Sequence, residues 1–303
     1  MPGQTVRLAI SNPEIVNRIP ASSLRKWPEK LPVFRRKRAD FPAVGLQTLV
    51  DQSCFAGTNV AALLNSASNR VEDRALINIR TPDGLDYFFV NPQEGRVLLY
   101  CGTERGGDIP PPDAVPPLET VRDQAIRFAE LLGVPTAELE RKPDGSIRMI
   151  VMENDRIRRG IKHKASRSVT LFRTIAGYPI LALDPDKIQL QLGVNGRLLK
   201  FDLKWCFIEP ARTNHVLPIS KVLDGIRQGC IVGDVTNEYP PGGIARIEIK
   251  DIRVVYVVPN SSLSQAASPN GEIWPAAFLH AVFKSKTGEK TEGGLFAPIL
   301  VSE

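Results

Sequence analysis

Alternating apolar and polar residues mark the region from Ser168 to Trp205 as the centre of the predicted fold. Apolar side chains recur at about every second position in three short stretches, 169–174, 188–192 and 198–205. A period of two is typical of strands with one buried face, and the Asn195-Gly196 pair between the last two stretches predicts a tight turn. We therefore expect these stretches to form an antiparallel meander.

Apolar residues follow helical spacing in two further stretches, 118–132 and 219–226, where they recur every three or four positions. A proline precedes each stretch and a glycine follows shortly after it, which is where helices begin and end. The first stretch carries charged residues on its other face. We expect it to be an amphipathic helix that covers the meander and buries Phe128.

The remaining patterned stretches are shorter. A pair of helices is predicted at 44–64, with Gly57 between them and Thr58 or Asn59 as the cap of the second helix. Asp184 and Asp186, on either side of a proline, predict a turn. Strands are predicted at 75–80, 85–90, 96–100, 146–152, 245–259, 274–283 and 295–301.

The order of helix followed by strands occurs three times, which predicts an α+β fold of tandem units, each with one helix packed on an antiparallel sheet. Proline- and glycine-rich segments set the expected boundaries, and the segment 102–117 combines both residue types as a hinge and spacer. We predict an extended N-terminal arm at 1–41, an α+β unit at 42–101, a linker at 102–117, and two further α+β units at 118–210 and 211–303.

Basic residues outnumber acidic ones by 39 to 33, and two runs concentrate the positive charge, at 35–38 and 156–164. Such runs are solvated loops or arms, or they contact an acidic protein or a membrane surface, or they bind nucleic acid. Nucleic-acid modules usually add aromatic platforms or a recognition helix, and neither run has these nearby, so we do not expect nucleic acid as the partner. The cations of the second run are candidate binding residues: Arg156, Arg158, Arg159, Lys162 and Lys164.

No window of the sequence reaches the roughly 18 apolar residues that a membrane-spanning helix needs, and the chain as given opens without a signal-peptide pattern. The cysteines are widely spaced and match no zinc-binding pattern. They are either buried thiols or members of one or two disulfides, and Cys206 with Cys230 is the first pair to test. The four cysteines are Cys54, Cys101, Cys206 and Cys230.

Sequence motifs of catalysis are missing from the chain. The histidines His163, His215 and His280 are isolated, and the zinc-protease, nucleophile-elbow, dinucleotide and phosphate-loop patterns do not occur. Nucleophilic catalysis usually needs a base that activates a serine or cysteine, and no such pairing is visible. We therefore expect no enzymatic activity, no cofactor and no catalytic or metal-binding residues.

Residues Arg173 to Trp205 resemble a segment of thermolysin- and fungalysin-type propeptides, in which a strand with a Gly-x-Pro turn leads to two further strands. The helical stretches that begin at Glu119 and Pro218 are similar to the helix that opens PepSY-type domains. The strands at 252–259 and 273–283 resemble later strands of tandem PepSY-like regulators of bacterial sensor kinases. This resemblance, over roughly residues 118 to 301, implies a cystatin-like α+β fold that contacts proteins outside the cytoplasm without catalysis.

Together these observations predict a non-enzymatic protein-binding or regulatory module whose partner is another protein. The alternatives are a structural subunit that reaches a neighbouring chain with the arm at 1–41, and an enzyme of an unrecognised class. An arm packed on its own domain favours the regulatory module, and an arm that projects away favours the assembly subunit. Four aromatic residues either pack in the core or line a binding groove: Tyr178, Trp205, Tyr256 and Trp274.

Overall fold

The structure is a computed structural model that describes residues 14–20, 27–67, 77–102, 114–158, 160–181, 186–230, 233–234, 240, 243–257 and 272–301. Within these ranges the helices are α1 (Ala43–Asp51), α2 (Val60–Ala67), α3 (Leu118–Leu131) and α4 (Ile219–Arg227). The strands are β1 (Glu14–Asn17), β2 (Lys30–Arg36), β3 (Ile77–Arg80), β4 (Tyr87–Asn91), β5 (Arg96–Tyr100), β6 (Met149–Arg158), β7 (Ile161–Phe172), β8 (Thr174–Ile175), β9 (Tyr178–Leu181), β10 (Lys187–Gly193), β11 (Leu198–Lys204), β12 (Ile208–His215), β13 (Gly233–Asp234), β14 (Arg246–Val257), β15 (Glu272–Lys284) and β16 (Lys290–Pro298).

The chain divides into two compact units, and the first takes its residues from three stretches, 1–36, 175–184 and 208–303. Its nine-stranded sheet has the order β12-β2-β15-β14-β9-β8, with β1 beside β14, β16 beside β15 and β13 beside β16. The long strand β15 is antiparallel to β14 and to β16, whereas β1 and β9 run parallel to β14. The N-terminal residues therefore supply two strands, β1 and β2, to this unit.

Helix α4 covers one face of the nine-stranded sheet. Its apolar stripe of Val222, Leu223 and Ile226 is buried in one cluster with Ile247 of β14 and Leu279 of β15. The stretch 219–226, predicted from its helical spacing, is thus a helix, and the sheet buries the apolar stripe of that helix.

The second compact unit is built from residues 37–174 and 185–207. Its seven strands are all antiparallel to their neighbours and have the order β3-β4-β5-β11-β10-β7-β6. Helix α3 lies on β10 and β7. Phe128 of α3 is 1% exposed and makes an edge-to-face contact with Phe201 of β11, with 5.6 Å between ring centroids. The predicted packing of this helix on the meander is confirmed.

Local turn and helix signals also agree with the structure. Asn195 and Gly196 have φ values of 55° and 73°, in the left-handed region that the predicted turn requires. The two short helices α1 and α2 follow one another as expected, and the side chain of Asn59 accepts a hydrogen bond from the backbone N–H of Ala62, as a helix cap does.

The prediction of tandem α+β units is wrong. The structure is dominated by two large sheets, of nine and seven strands, with four α-helices in the described ranges. The reason is a long-range pairing: β5, from the first predicted unit, pairs with β11, from the second, over five residues from Lys200 opposite Tyr100 to Lys204 opposite Arg96. Strands from two predicted helix-and-sheet units therefore belong to a single sheet. The prediction missed this because hydrophobic periodicity identifies strands but not their partners.

The predicted linker at 102–117 lies largely outside the described residues, which leave out 103–113. The elements on either side of it, β5 and α3, both belong to the second unit. The predicted arm at 1–41 is described at 14–20 and from residue 27 onward, where it carries β1 and β2.

The disulfide in the structure joins Cys54, after α1, to Cys101, at the end of β5, with 5.7 Å between the Cα atoms. Cys206 and Cys230 are not joined by a disulfide, so the pairing suggested for them does not form. The spacing of cysteines in the sequence carries no information on this connectivity, because it depends on which strands and loops meet in the fold.

Candidate functional site

The four candidate aromatic residues do not form one groove. Tyr178 and Tyr256 meet in the first unit, with 6.5 Å between ring centroids, and burial raises the pKa of both phenols. Trp274 packs in a separate small apolar cluster that includes Phe296. Trp205 is fully buried in the core of the second unit. Trp205 and Tyr256 are therefore core residues, and only Tyr178 and Trp274 keep part of their surface exposed.

A buried ion-pair network surrounds Trp205. The guanidinium of Arg173 lies 4.8 Å from the centre of the Trp205 ring and donates hydrogen bonds to Glu138 and Asp186, each at 2.7 Å. Asp186 in turn accepts a hydrogen bond from the backbone N–H of Cys206 at 2.9 Å. The turn expected at 184–186 lies largely outside the described residues, but Asp186 itself is 3% exposed and is the buried counter-charge of Arg173, beside the partly exposed Glu138. The network therefore links a buried guanidinium and a buried carboxylate to Glu138, which keeps 31% of its side chain exposed.

The second basic run lies at the tip of the β6–β7 hairpin, and its described residues are mainly paired strands and not a loop. β7 pairs with β10 only at 166–172, whereas its residues 161–164 pair with β6 alone among the described strands. Lys162 pairs with Asp155 at 2.9 Å, and Lys164 pairs with Glu153 at 2.8 Å. Hydrogen bonds from Lys164 and Arg167 hold the pKa of Glu153 below its usual range.

The hairpin places three of the five candidate cations of this run on its two paired strands. Arg156 lies on β6, and Lys162 and Lys164 lie on β7. The backbone of Arg158 ends β6, but its side chain lies outside what the structure describes, as does the whole of Arg159.

Strand β6 is an edge of the seven-stranded sheet as the described residues define it. Its first half is apolar and open to solvent: Ile150, Val151 and Met152 are 49%, 39% and 51% exposed, and Ile157 near its end is 75% exposed. An edge strand presents a row of backbone N–H and C=O groups that another strand can pair with. The first residues of β6 are therefore an exposed apolar stretch on an edge strand.

The seven-stranded sheet also has a face that sequence reasoning missed, opposite the face that packs on the helices. Its side chains alternate along each strand with the core residues, so they project to the other side. Across the sheet, Arg80 is opposite Tyr87, Tyr87 is opposite Tyr100, and Tyr100 is opposite Lys200. We call this surface the open face and define it by these side chains: Arg80, Tyr87, Phe89, Arg96, Leu98, Tyr100, Lys187, Gln189, Gln191, Lys200, Asp202 and Lys204.

Aromatic and charged groups lie side by side on the open face. The rings of Tyr87 and Tyr100 stack with 5.4 Å between centroids and 20° between planes. Asp202 is buried at 4% exposure and lies 3.6 Å from Arg96 and 3.9 Å from Lys200. Burial, and then the charge of Asp202, raises the pKa of Tyr87, which keeps this phenol protonated. The sequence pattern predicted the individual strands, but it did not show that side chains from five of them lie on one face of a sheet.

A second charged cluster lies in the first unit around Glu248 of β14. This carboxylate is 3% exposed and lies 2.6 Å from the ammonium of Lys284, 3.3 Å from Lys250, 3.4 Å from Arg246 and 3.9 Å from Arg18. The hydrogen bond from Lys284 is the main cause that lowers the pKa of Glu248 to about 2. The cluster joins β1, β14 and β15 through one ionised carboxylate.

A cavity of about 410 Å³ opens in the second unit, a volume typical of small-molecule sites. Phe41, Leu46 and Val90 line it, together with Arg38 and Asp40. Arg38 belongs to the first basic run. The lining combines apolar walls with one cation and one anion, which does not select a class of ligand.

The histidines lie on three different strands: His163 on β7, His215 on β12 and His280 on β15. In the part of the chain that the structure describes, no group of three or more His, Cys, Asp or Glu side chains has the arrangement of a metal site.

No protein-family model matches the chain, and a search of curated proteins gives no significant match. The resemblance to PepSY-type domains stays a prediction. Among the described residues, no helix is both long and apolar enough to cross a membrane.

Proposed function

We propose that this chain is a non-enzymatic protein-binding module and that a partner protein docks by adding an extended strand to β6. The observation that carries the proposal is the exposure of Ile150, Val151 and Met152 on a ten-residue edge strand. In strand addition, main-chain hydrogen bonds supply affinity and alternate side chains supply specificity. An exposed apolar edge is otherwise an aggregation hazard.

The two halves of β6 differ in how well they are protected. Proteins guard edge strands with charges and β-bulges, and both occur from Glu153 onward, where Glu153 and Asp155 follow the apolar residues and a bulge separates Asn154 from Asp155. Residues 149–152 have neither. We therefore place the partner strand along 149–153 and assign the basic hairpin tip to steering an acidic partner during association.

The N-terminal arm supports the regulatory reading over the assembly subunit. Its described strands pair within their own compact unit, β1 with β14 and β2 with β12 and β15. An arm used in this way is not free to reach a neighbouring chain along 14–17 or 30–36.

The test is affinity capture followed by amide hydrogen exchange on the captured complex. The variant Ile150→Lys/Met152→Lys places two charges on the apolar half of β6 and should abolish capture of the partner that the unmodified chain retains. In the complex formed by the unmodified chain, exchange of the backbone amides at 149–153 should slow, because these groups become hydrogen bonded.

A matched control is Val44→Lys, which adds a charge at an exposed apolar residue, 74% accessible, on helix α1. It should leave capture unchanged. The proposal fails if the β6 variant retains the partner as well as this control does, or if a captured partner leaves the exchange of β6 unchanged.

A further inference from the structure

We infer that the open face of the seven-stranded sheet binds single-stranded nucleic acid. This inference is independent of the docking proposed at the edge of β6. It is carried by side chains from five strands, none of which belongs to either basic run of the sequence.

The first argument is charge. The open face carries five cations and a single carboxylate among its described side chains: Arg80, Arg96, Lys187, Lys200 and Lys204, with Asp202. Asp202 is buried between Arg96 and Lys200 and is not presented to solvent, whereas those two cations keep 30% and 27% of their side chains exposed. The face is therefore complementary to a polyanion, and phosphate neutralisation supplies much of the affinity of nucleic-acid binding.

The second argument is the position of the aromatic rings. Tyr87 and Tyr100 stack on each other across β4 and β5, with Phe89 and Leu98 on the neighbouring row of the same face. Cations lie around this apolar patch, with Arg80 opposite Tyr87 on one side and Lys200 opposite Tyr100 on the other. Sheet faces that bind single strands combine such rings, on which bases stack, with cations that hold the backbone.

An acidic peptide would use the same cations but has no general need for the rings. The stacked tyrosine pair at the centre of the basic surface is thus the feature that favours nucleic acid. A duplex is disfavoured because its bases are stacked inside the helix and are not available to side-chain rings, whereas a single strand can place its bases on them.

The experiment measures binding of fluorescein-labelled oligonucleotides of about 12 residues, a length within the site sizes known for single-strand modules. The full chain is titrated with RNA and DNA of one mixed sequence, with the corresponding DNA duplex, and with polyglutamate. We expect both single strands to bind more tightly than the duplex and polyglutamate, with affinity that falls as salt rises. A difference between RNA and DNA would show which of them is the preferred strand.

Two substitutions separate stacking from charge. Tyr100→Ala should weaken single-strand binding by about five-fold or more, the loss expected for one stacked base, while Tyr100→Phe keeps the ring and should bind like the unmodified chain. Lys200→Gln should weaken binding. It should also reduce the slope of log affinity against log salt by about one, the change expected for the loss of one phosphate contact. Lys142→Gln removes the same charge at an exposed turn outside the open face and is the matched control.

Lys200→Gln keeps the inference testable if Tyr100→Ala does not fold, because it removes a partly exposed charge and no packed ring. The inference is overturned if no oligonucleotide binds at low salt, or if Tyr100→Ala and Lys200→Gln bind as Lys142→Gln does. Equal affinity for polyglutamate and single strands, with Tyr100→Ala unchanged, would instead identify a surface for acidic proteins. Loss of oligonucleotide binding would leave the result of the β6 capture experiment unaffected, so the two proposals can fail separately.

Discussion

Arg173 places a positive charge in the interior of the second unit, where 1% of its side chain is exposed. Its guanidinium donates hydrogen bonds to two carboxylates and a backbone carbonyl and lies over the ring of Trp205. Burying a charge is favourable only when its partners are in place, and removing one partner leaves the other uncompensated. Replacing Arg173 therefore tests its role, because the substitution leaves a buried carboxylate without its counter-charge.

We predict that Arg173→Ala lowers the free energy of unfolding by about 3–5 kcal/mol, because Asp186 stays buried without its counter-charge. Arg173→Lys should restore only part of the loss, since an ammonium cannot reproduce the fork of donors of a guanidinium. Urea unfolding measures both. Arg148→Ala, which breaks an exposed pair with Glu140, should cost less than about 1 kcal/mol and is the control. Equal losses for Arg173→Ala and Arg148→Ala would contradict the prediction.

Glu248 predicts a pH dependence. Its pKa is about 2 in the folded chain against an ordinary value of 4.5, so ionised Glu248 stabilises the fold above about pH 4.5. This stabilisation is lost as the pH falls from 4.5 towards 2 and the carboxylate takes up a proton. Urea unfolding should therefore show Glu248→Gln less stable than the unmodified chain at pH 6, with a difference that shrinks between pH 4.5 and 2. A difference that stays constant over this range would contradict the assignment.

Helix packing in the second unit depends on one glycine. At Gly45 the backbone of α1 lies so close to the end of α3 that a Cβ would overlap the carbonyl oxygen of Leu131. Gly225 in α4 offers the opposite case, since a Cβ there would make an ordinary contact of 3.5 Å with the Cβ of Cys230. Both glycines lie in helices, so alanine improves helix propensity at both. A difference between the two alanine variants therefore reports the packing around each position.

We predict that Gly45→Ala destabilises the chain by about 1–3 kcal/mol, the cost of overpacking, despite the better helix propensity of alanine. Gly225→Ala should instead stabilise it by up to about 1 kcal/mol. Thermal unfolding of both variants gives the comparison. Stabilisation by both substitutions would show that α1 and α3 can separate without loss.

At the scale of the whole chain, both compact units are assembled from separated stretches of sequence. The sheet of the first unit needs β1 and β2 from the N-terminal stretch and β9 from the middle of the chain. The second unit resumes at 185 after the chain has left it at 174. Contiguous segments of the sequence are therefore not equivalent to independent folding units.

We predict that a fragment of residues 211–303, one of the α+β units expected from the sequence, does not unfold cooperatively. It lacks β1, β2 and β9, so β14 and β15 lose neighbours along their edges. A fragment of residues 37–207, which contains all of the second unit, should melt cooperatively and is the control. Thermal denaturation followed by circular dichroism measures both, and a cooperative transition of the 211–303 fragment would contradict the prediction.

Local patterns in the sequence determined most of the helices and strands and which of their residues face a core, but they did not predict the strands β1, β2 and β12. The stripe of α3, the alternation in β10 and β11 and the turn at Asn195-Gly196 all depend on contacts within a few residues, so they are readable before folding. The exposed residues of β6 were also visible as a strand, although the basic run that continues it was expected to be a loop.

Only the tertiary structure decided which strands are neighbours. The pairing of β5 with β11, the return of β1 and β2 to the first unit, the disulfide from Cys54 to Cys101 and the open face all join residues that are far apart in the chain. An alternating strand is compatible with many partners, because its period reports a buried face and not the strand beside it. The chemistry of the open face arises from that choice of partners, since Tyr87, Tyr100 and Lys200 meet only across strands.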